Sequence, residues 1–322
     1  MSIDKFVSVI IPTYGRSLML KRAISSVVNQ KYTSFEIIVV DDNSPESDHR
    51  KRTEACILNF DDIIYIKHEK NFGGCVARNT GIKRAKGAFI AFLDDDDEWE
   101  KDFLEKQLKR FDKDNVGAVY CNFFLNKMNG EFTYSKKIEF ENFKGNVYGK
   151  LLSGWCPAST SLFIIKKKCF EICGFFDEQL ESFQDYDMWL RISKKFEFNY
   201  SDEYLIIKHE HLSDQISLNP ITRKNGLNVL KSKFTNILDN SDMCIFQETA
   251  EIFEKRIIYS NVIVCRQKGE FANAFKNIVE FSGHSKSDIK SIFKLIFIFV
   301  FGYKPIKLFH QLNSKKIETI NE

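Results

Sequence analysis

The chain has 322 residues, of which 43% are hydrophobic, and a formal net charge of +3. This length fits one large domain, or a catalytic domain with an appendage, and the apolar content is enough for a packed core. The charge is uneven, because residues 1–219 carry 31 Lys and Arg against 34 Asp and Glu, whereas residues 220–322 carry 16 against 10. This balance excludes a nucleic-acid-binding surface for the first 219 residues and makes the remainder basic.

The eight cysteines are scattered and include no Cys-x-x-Cys pair. Cys169 and Cys173 lie one helical turn apart, a spacing typical of half a metal site or of two buried thiols, and no matching His or Cys pair accompanies them. Residues 1–6 are too few and too polar for targeting, and no apolar run reaches the roughly 18 residues of a membrane span. We therefore expect a protein of a reducing, cytosolic compartment.

The first 125 residues alternate between strand and helix patterns. Apolar runs predict strands at 7–12, 35–40, 63–66, 89–93 and 117–125. Helical spacing predicts helices from Ser17, at about 46–58, at 75–85 and at about 98–111. Short joints between alternating elements imply an α/β fold with parallel strands and right-handed crossovers.

Polar loops follow three of these predicted strands. They read Pro12-Thr-Tyr-Gly-Arg16, Asp41-Asp-Asn-Ser44 and Asp94-Asp-Asp-Asp97. Ligands in open parallel sheets bind beyond the carboxyl ends of the strands, so these loops are expected to meet at one nucleotide-binding edge.

The four consecutive aspartates allow two interpretations. Carboxylates packed this densely repel one another, but a hard divalent cation such as Mg²⁺ or Mn²⁺ among them makes the cluster favourable and could hold a diphosphate. Alternatively, the run caps the helix predicted from about Glu98, because acidic residues favour helix N-termini.

The alternation ends after residue 125. A turn at 128–131 predicts a hairpin, residues 138–155 show no regular pattern, and a buried strand is predicted at Ser161–Ile165, followed by a helix through Cys173. A helix is predicted from Gln184, and a strand with a His-Glu-His end is predicted at 196–211. Beyond Pro220 only helical patterns remain, so we place one domain at 1–219 and an all-helical extension at 220–322.

Residues 285–316 contain seven lysines, one aspartate and the apolar string Ile292–Phe301. Ten helical residues span about 15 Å, too short to cross a bilayer but suited to lie in its surface. Clustered lysines would meet anionic lipid there. The alternatives are a core helix that packs on the catalytic domain and a dimer interface; the oligomeric state does not follow from the sequence.

These residues together resemble an inverting family 2 glycosyltransferase of the GT-A fold. The resemblance covers about 6–217 and is carried by six short segments: 10–16, 26–30, 36–44, 71–82, 92–97 and 174–191. The segments include Asn71-Phe-Gly-Gly, Phe92-Leu-Asp-Asp-Asp-Asp and Gln184-Asp-Tyr-Asp-Met-Trp-Leu-Arg. A GT-A fold implies a Rossmann-like, mostly parallel sheet flanked by helices.

The resemblance also implies the roles of individual residues. The predicted nucleotide-sugar-binding set comprises Pro12, Tyr14, Arg16, Asp42, Arg78, Asp94 and Asp95. Within that set Tyr14 would stack on a uracil-like ring, Asp42 would accept a hydrogen bond from the base, and Asp95 would touch ribose. The implied metal ligands for Mn²⁺ or Mg²⁺ are Asp94, Asp96 and His211, although a histidine at that position is also compatible with a structural hydrogen bond.

Asp185 is the candidate general base, since a carboxylate near a helix N-terminus that faces the donor can take the acceptor's proton. The family usually has Glu-Asp here, and this chain has Gln184-Asp185. Helix capping is the alternative role of Asp185 and of Asp187. Asp187 and Trp155 are candidate acceptor contacts, and Trp155 is equally compatible with packing.

The sequence thus predicts a metal-dependent inverting glycosyltransferase, cytoplasmic and peripheral on the inner face of the cell membrane. Its expected donor is a UDP-sugar that supplies a hexose or N-acetylhexosamine. Its expected acceptor is a hydroxyl of a glycan, carried on a lipid such as undecaprenyl diphosphate, in O-antigen, capsule or other surface-polysaccharide synthesis. The alternatives are a non-catalytic nucleotide-sugar-binding assembly protein and a nucleotidyltransferase, although residues 12–17 lack the glycine-rich phosphate loop of the latter.

Overall fold

The structure is a computed structural model. It describes residues 5–129, 132–141, 143–157, 159–209 and 219–283, with 292, 295, 296 and 298–300. The chain divides into two compact units, Met1–Ser213 and Asp214–Glu322. Within the described residues, no helix combines the length and the apolar character that a membrane span requires.

The first unit is built on a nine-stranded sheet flanked by helices. Its strands are β1 (Val7–Thr13), β2 (Phe35–Asp41), β3 (Ile63–Lys67), β4 (Phe89–Phe92), β5 (Asp97–Trp99), β6 (Val116–Asn129), β7 (Phe132–Ile138), β8 (Ile164–Lys166) and β9 (Glu197–His209). Its helices are α1 (Ser17–Val28), α2 (Asp48–Ile57), α3 (Gly74–Arg84), α4 (Phe103–Leu108), α5 (Tyr148–Leu152), α6 (Lys167–Cys173) and α7 (Gln184–Ser193).

The strands lie in the order β3-β2-β1-β4-β8-β6-β9-β5, with β7 paired to the outer part of β6. Strands β1 to β4 are parallel, as the alternating pattern predicts. Val9, Ile10 and Ile11 of β1 are fully buried, which is typical of a strand covered on both faces. The carboxyl ends of β1, β2 and β4 therefore meet at one edge of the sheet, where the polar loops begin.

Strand β8 sets the order of the second half of the sheet, where the predicted alternation has ended. It comes late in the sequence but inserts between β4 and β6, and it is antiparallel to both. Strand β9 then pairs parallel to β6 on its other side. As a result, residues 159–162, which precede β8, arrive directly beside the acidic run that follows β4.

The segment after the acidic run also differs from the prediction. Residues 97–99 form β5, antiparallel to residues 206–208 of β9, and α4 begins only at Phe103. Trp99 explains this, because its indole N–H donates to the Ser161 carbonyl at 3.0 Å and its ring stacks on Phe103. The acidic residues therefore precede a strand, and the helix-cap interpretation of this run is wrong.

The second unit is helical in its described part, with α8 (Pro220–Thr235), α9 (Asn240–Gln267) and α10 (Phe271–Ser282). Asn219 caps α8 by accepting the N–H groups of Ile221 and Thr222, with Pro220 at the first helical position. A cluster of buried apolar side chains holds the later helices together; it contains Ile258, Val262, Ile278, Phe281, Leu295 and Ile298.

Candidate active site

The acidic run turns sharply at the end of β4. The Asp97 N–H donates to the Asp94 carbonyl at 3.0 Å, and the Asp94 N–H donates to the Ser161 hydroxyl at 3.0 Å. This turn brings one carboxylate oxygen each of Asp94, Asp96 and Asp97 within 4.8 Å of one another. Three carboxylates so placed form an oxygen ligand set of the kind that Mn²⁺ and Mg²⁺ prefer.

Asp97 is the third carboxylate of this set, which was predicted to be completed by His211. His211 lies outside the described residues, so the structure gives no place to it. The neighbouring His209 lies 2.6 Å from Glu98 through its Nε2, away from the ligand set. In the described part of the chain, strand β9 contributes Lys208 to the acidic run.

Each of the three carboxylates has a cationic partner from the protein. Arg78 donates to Asp94 at 2.7 Å and Arg16 donates to Asp96 at 2.7 Å. Lys208 donates to Asp97 at 2.9 Å. These partners come from α3, from the loop after β1 and from β9, so the cluster joins three separate parts of the fold.

The charges of the cluster do not balance. Asp94 to Asp97 and Asp185 contribute five negative charges when ionised, and Arg16, Arg78 and Lys208 contribute three positive ones. The remaining charge of about −2 is the charge that one divalent cation neutralises. The chemistry and the charge of the residues present therefore fit a divalent metal.

The pKa values of the carboxylates agree with this deficit of positive charge. Burial raises the pKa of Asp95 to about 7 and that of Asp97 to about 6, although Arg16 and Lys208 oppose the shift. Burial would also raise the pKa of Asp94, but Arg78 and Lys208 outweigh it and lower the pKa to about 2. A further cation would stabilise the ionised form of all three carboxylates.

Asp95 lies inside the protein and is not accessible to a ligand. Its side chain is 0% exposed, accepts from the Thr13 hydroxyl at 2.7 Å and pairs with Arg16 at 2.8 Å. The predicted contact of Asp95 with ribose requires an accessible carboxylate, so this placement corrects it. Asp95 instead fixes Arg16 and the end of β1 against the acidic run.

Asp185 lies at the start of α7, and its carboxylate reaches the segment before β8. The Ser159 N–H donates to Asp185 Oδ2 at 3.2 Å, while the Ser159 hydroxyl lies 3.2 Å from Asp94 Oδ2 and 3.5 Å from Asp97 Oδ2. One residue thus bridges the candidate base and the candidate metal ligands. Asp185 and Asp94 therefore share one site.

The environment of Asp185 suits a base. Burial raises the pKa of Asp185 above its ordinary value, Asp94 acts in the same direction, and Arg78 opposes both. A carboxylate whose pKa is raised toward neutrality accepts a proton more readily. Gln184, where the family usually has Glu, accepts from Arg78 at 3.0 Å and leaves the charge of that guanidinium for Asp94 and Asp185.

Two residues beside Asp185 have strained backbones. Ser159 has φ +93° and Phe183 has φ +60°, values that non-glycine residues rarely adopt. Such conformations cost about 1–3 kcal/mol each and persist where the surrounding structure enforces them, often at functional sites. Here they direct the Ser159 N–H at Asp185 and set the start of α7.

Asp187 is buried, although it was a predicted acceptor contact. Its side chain is 0% exposed and pairs with Arg191, one turn later, at 2.8 Å. Arg191 also donates to the carbonyls of Cys173, Gly174 and Phe175. The pair ties α7 to the end of α6, and this placement corrects the acceptor role.

Trp155 is partly buried among aromatic residues. Its ring makes edge contacts with Tyr120 at 5.6 Å and Phe143 at 5.1 Å between ring centroids. These contacts show packing, and an acceptor contact on the remaining exposed part of the ring stays a prediction.

The predicted base pocket lies at the ends of β1 and β2. Tyr14 is 53% exposed, so its ring is available for stacking. Asp42 is buried and accepts from the N–H groups of Phe72 and Gly73, with His68 Nδ1 at 2.8 Å. Asp42 thus holds the loop before α3, and its contact with a base stays a prediction.

Three residues of this site were not predicted from the sequence. They are Ser159, Lys208, and Asp97 as a candidate metal ligand. Asp97 was within the recognised acidic run, and Lys208 stands in the polar end of a recognised strand. Ser159 gave no signal of this kind, because its role depends on the insertion of β8 beside β4.

A comparison with protein families decides the classification. The family model described as Glycosyl transferase family 2 matches residues 8–171. The chain belongs to glycosyl transferase family 2. The family match ends before Asp185 and Lys208, so Lys208 is assigned from the geometry of this structure, and Asp185 from that geometry together with the local sequence resemblance.

Relatives of the chain carry glycosyltransferase names. An uncharacterized glycosyltransferase of Rickettsia bellii (strain RML369-C) is 33% identical over 256 residues, which cover 78% of this chain and 36% of that protein. The UDP-Glc:alpha-D-GlcNAc-diphosphoundecaprenol beta-1,3-glucosyltransferase WfgD of Escherichia coli is 33% identical over 196 residues, 59% of this chain and 71% of that protein. The chain spans only 31–36% of the length of three Rickettsia relatives.

Solved structures of low identity share the fold. TarS 1-349 of S. aureus in complex with UDP-GlcNAc matches with a TM-score of 0.53 and 17% identity, covering 86% of this chain and 90% of that one. Mannosyltransferase PcManGT from Pyrobaculum calidifontis, in complex with GDP-Man and Mn²⁺, matches with a TM-score of 0.58 and 15% identity, covering 97% and 85%. The predicted GT-A fold is confirmed.

Proposed function

We propose that this family 2 member is a metal-dependent inverting glycosyltransferase. It moves a hexose or N-acetylhexosamine from a UDP-sugar to a hydroxyl of a glycan carried on a lipid diphosphate such as undecaprenyl diphosphate. The product belongs to a surface polysaccharide of the O-antigen or capsule type.

One observation carries this proposal. Ser159 contacts both Asp185, at 3.2 Å from its N–H, and Asp94, at 3.2 Å from its hydroxyl. An inverting transfer needs a base on one side of the anomeric carbon and stabilisation of the departing diphosphate on the other. The Ser159 bridge supports both requirements within one site.

In the proposed reaction Asp185 accepts the proton of the acceptor hydroxyl while the oxygen of that hydroxyl forms a bond to the anomeric carbon. The bond from that carbon to the diphosphate breaks, and UDP departs with the electron pair. Asp94, Asp96 and Asp97 would hold the metal, which when bound offsets negative charge on the diphosphate. Arg78 supplies further positive charge beside Asp94 and opposes the rise that burial causes in the pKa of Asp185.

The donor and acceptor classes are supported by named relatives and neighbours. WfgD is named for transfer from UDP-Glc to a GlcNAc-diphosphoundecaprenol, and TarS is described with UDP-GlcNAc. Another relative, 30% identical over 201 residues, is named a putative colanic acid biosynthesis glycosyl transferase, WcaA of Escherichia coli (strain K12).

The test is a donor screen with the purified protein, Mn²⁺ and radiolabelled UDP-sugars, using lipid extract or GlcNAc-diphosphoundecaprenol as acceptor. We expect label from one UDP-hexose or UDP-N-acetylhexosamine in a lipid-soluble product with inverted anomeric configuration. GDP-mannose serves as the control donor. If no donor gives either transfer or hydrolysis, the result favours a non-catalytic binder. Release of pyrophosphate would favour a nucleotidyltransferase.

We also propose peripheral attachment to an anionic membrane through residues 285–316, which follow α10 in the sequence. The lysines of that segment support this proposal, and so do the exposed side chains of Phe271, Phe275 and Val279, spaced four residues apart along one face of α10. Replacing the seven lysines of residues 285–316 by glutamine leaves Leu295 and Ile298 of the buried cluster in place and should release the protein from phosphatidylglycerol vesicles in co-sedimentation. Unchanged sedimentation, with circular dichroism confirming the fold, would refute the proposal.

A further inference from the structure

Lys208 lies near the end of β9, directly opposite Asp97 of β5 in the antiparallel register. Its ammonium group donates to Asp97 Oδ2 at 2.9 Å. The Lys208 side chain is 24% exposed, whereas that of Asp97 is 2% exposed. The Lys208 side chain is therefore partly exposed, whereas the carboxylate that it binds is buried.

The other two cations of the cluster are held more firmly. Arg16 binds both Asp95 and Asp96, and Arg78 binds both Asp94 and Gln184. Among the described residues, Lys208 has Asp97 as its one hydrogen-bonding side-chain partner. Lysine also carries its charge on a flexible stem and lacks the two-pronged geometry that fixes an arginine. Lys208 is thus the cation of the cluster that moves at least cost.

A metal among Asp94, Asp96 and Asp97 would take over the charge of Asp97. Lys208 would then lose its hydrogen-bond acceptor beside a divalent ion that repels it, although Asp94 and Asp96 still attract its charge. An anion that enters together with the metal would give the ammonium group a new acceptor. The proposed donor supplies such an anion as its diphosphate.

We propose that Lys208 is an exchangeable counter-ion that couples metal binding to donor binding. In the ligand-free protein it neutralises Asp97, and in the loaded protein it turns to the diphosphate. Metal and nucleoside diphosphate therefore strengthen each other's binding by the same factor, as linkage requires. This inference rests on the proposed function, because it takes the metal and the diphosphate from it.

The test is a titration of the full chain with Mn²⁺, with and without saturating UDP, followed by the electron paramagnetic resonance of free Mn²⁺. For the native protein we expect UDP to lower the Kd for Mn²⁺ by about tenfold, within the usual range of coupling between sites. Lys208→Met keeps the length of the side chain and removes its charge, so UDP should lower the Kd for Mn²⁺ by no more than about threefold, the part due to direct attraction between the metal and the diphosphate. Lys208→Arg should restore most of the coupling.

Lys106→Met is the matched control, since Lys106 forms an ion pair with Glu203 on the surface of the same unit. It should leave the coupling factor unchanged. Native coupling in a folded Lys208→Met protein overturns the inference and leaves the metal-dependent transfer intact. A native protein that binds no Mn²⁺ in either titration overturns both the inference and the proposed metal dependence.

Discussion

Replacing Asp185 by Asn should lower kcat for glycosyl transfer by about 10²- to 10⁴-fold, the usual contribution of a positioned general base. The amide keeps the shape of the side chain but cannot accept the proton of the acceptor hydroxyl. The Ser159 N–H, 3.2 Å from Asp185 Oδ2, would still find an oxygen acceptor. The affinity for UDP, measured by calorimetry, should therefore change no more than a few-fold.

Asp187→Asn is the matched control for this experiment, two residues along the same helix. It weakens the buried pair with Arg191 and should lower the free energy of unfolding by about 3 kcal/mol, measured in urea. The transfer rate per folded molecule should remain close to that of the native protein. Native turnover by Asp185→Asn would refute the base, and selective loss of turnover in the control would restore Asp187 to the reacting site.

Removal of divalent metal should abolish transfer, and Mn²⁺ should restore it. A metal that offsets charge on a departing diphosphate contributes several kcal/mol, and about 4 kcal/mol corresponds to a loss of about a thousandfold. The measurement is the initial rate after treatment with EDTA, before and after Mn²⁺ is added. Full activity in EDTA would remove the metal from the proposed reaction.

The titration with Mn²⁺ distinguishes the two candidates for the third metal ligand. Asp97→Asn should weaken Mn²⁺ binding by at least about tenfold, because one of three charged ligands is lost. His211→Ala should leave the Kd for Mn²⁺ within twofold. Glu98→Gln is the control, because Glu98 pairs with Arg22 and His209 outside the ligand set. The opposite ranking of Asp97 and His211 would return the histidine to the site.

The parallel half of the sheet was predictable because its determinants are local. β-branched runs, helical spacing and short joints within the first 93 residues define β1 to β4 and the loops at their carboxyl ends. The order of β4, β8 and β6 was not predictable, since it follows from the packing of residues that lie far apart in sequence. The start of α4 was misjudged for a similar reason: the contacts of Trp99 with Ser161 override its local helical pattern.

The site residues likewise divide into those whose placement the sequence predicted and those whose placement it did not. Asp94, Asp96 and Asp185 stand in recognisable segments, and the structure brings Asp94 and Asp185 to the same serine. Asp95 and Asp187 stand in the same segments, but their side chains point inward, a property that the adjacent sequence does not encode. The resemblance to the family thus identifies the segments of the site, and the direction of each side chain depends on the assembled sheet.

The late insertion of β8 and β9 has a consequence for synthesis on the ribosome. Arg16 and Arg78 emerge before the four aspartates, but Ser159, Asp185 and Lys208 emerge between about 60 and 115 residues after them. Until then the nascent chain carries a carboxylate cluster with only part of its compensating charge. Residues 8–171 expressed as an isolated fragment would lack both Asp185, the proposed proton acceptor, and Lys208, so we expect this fragment to show no transfer activity.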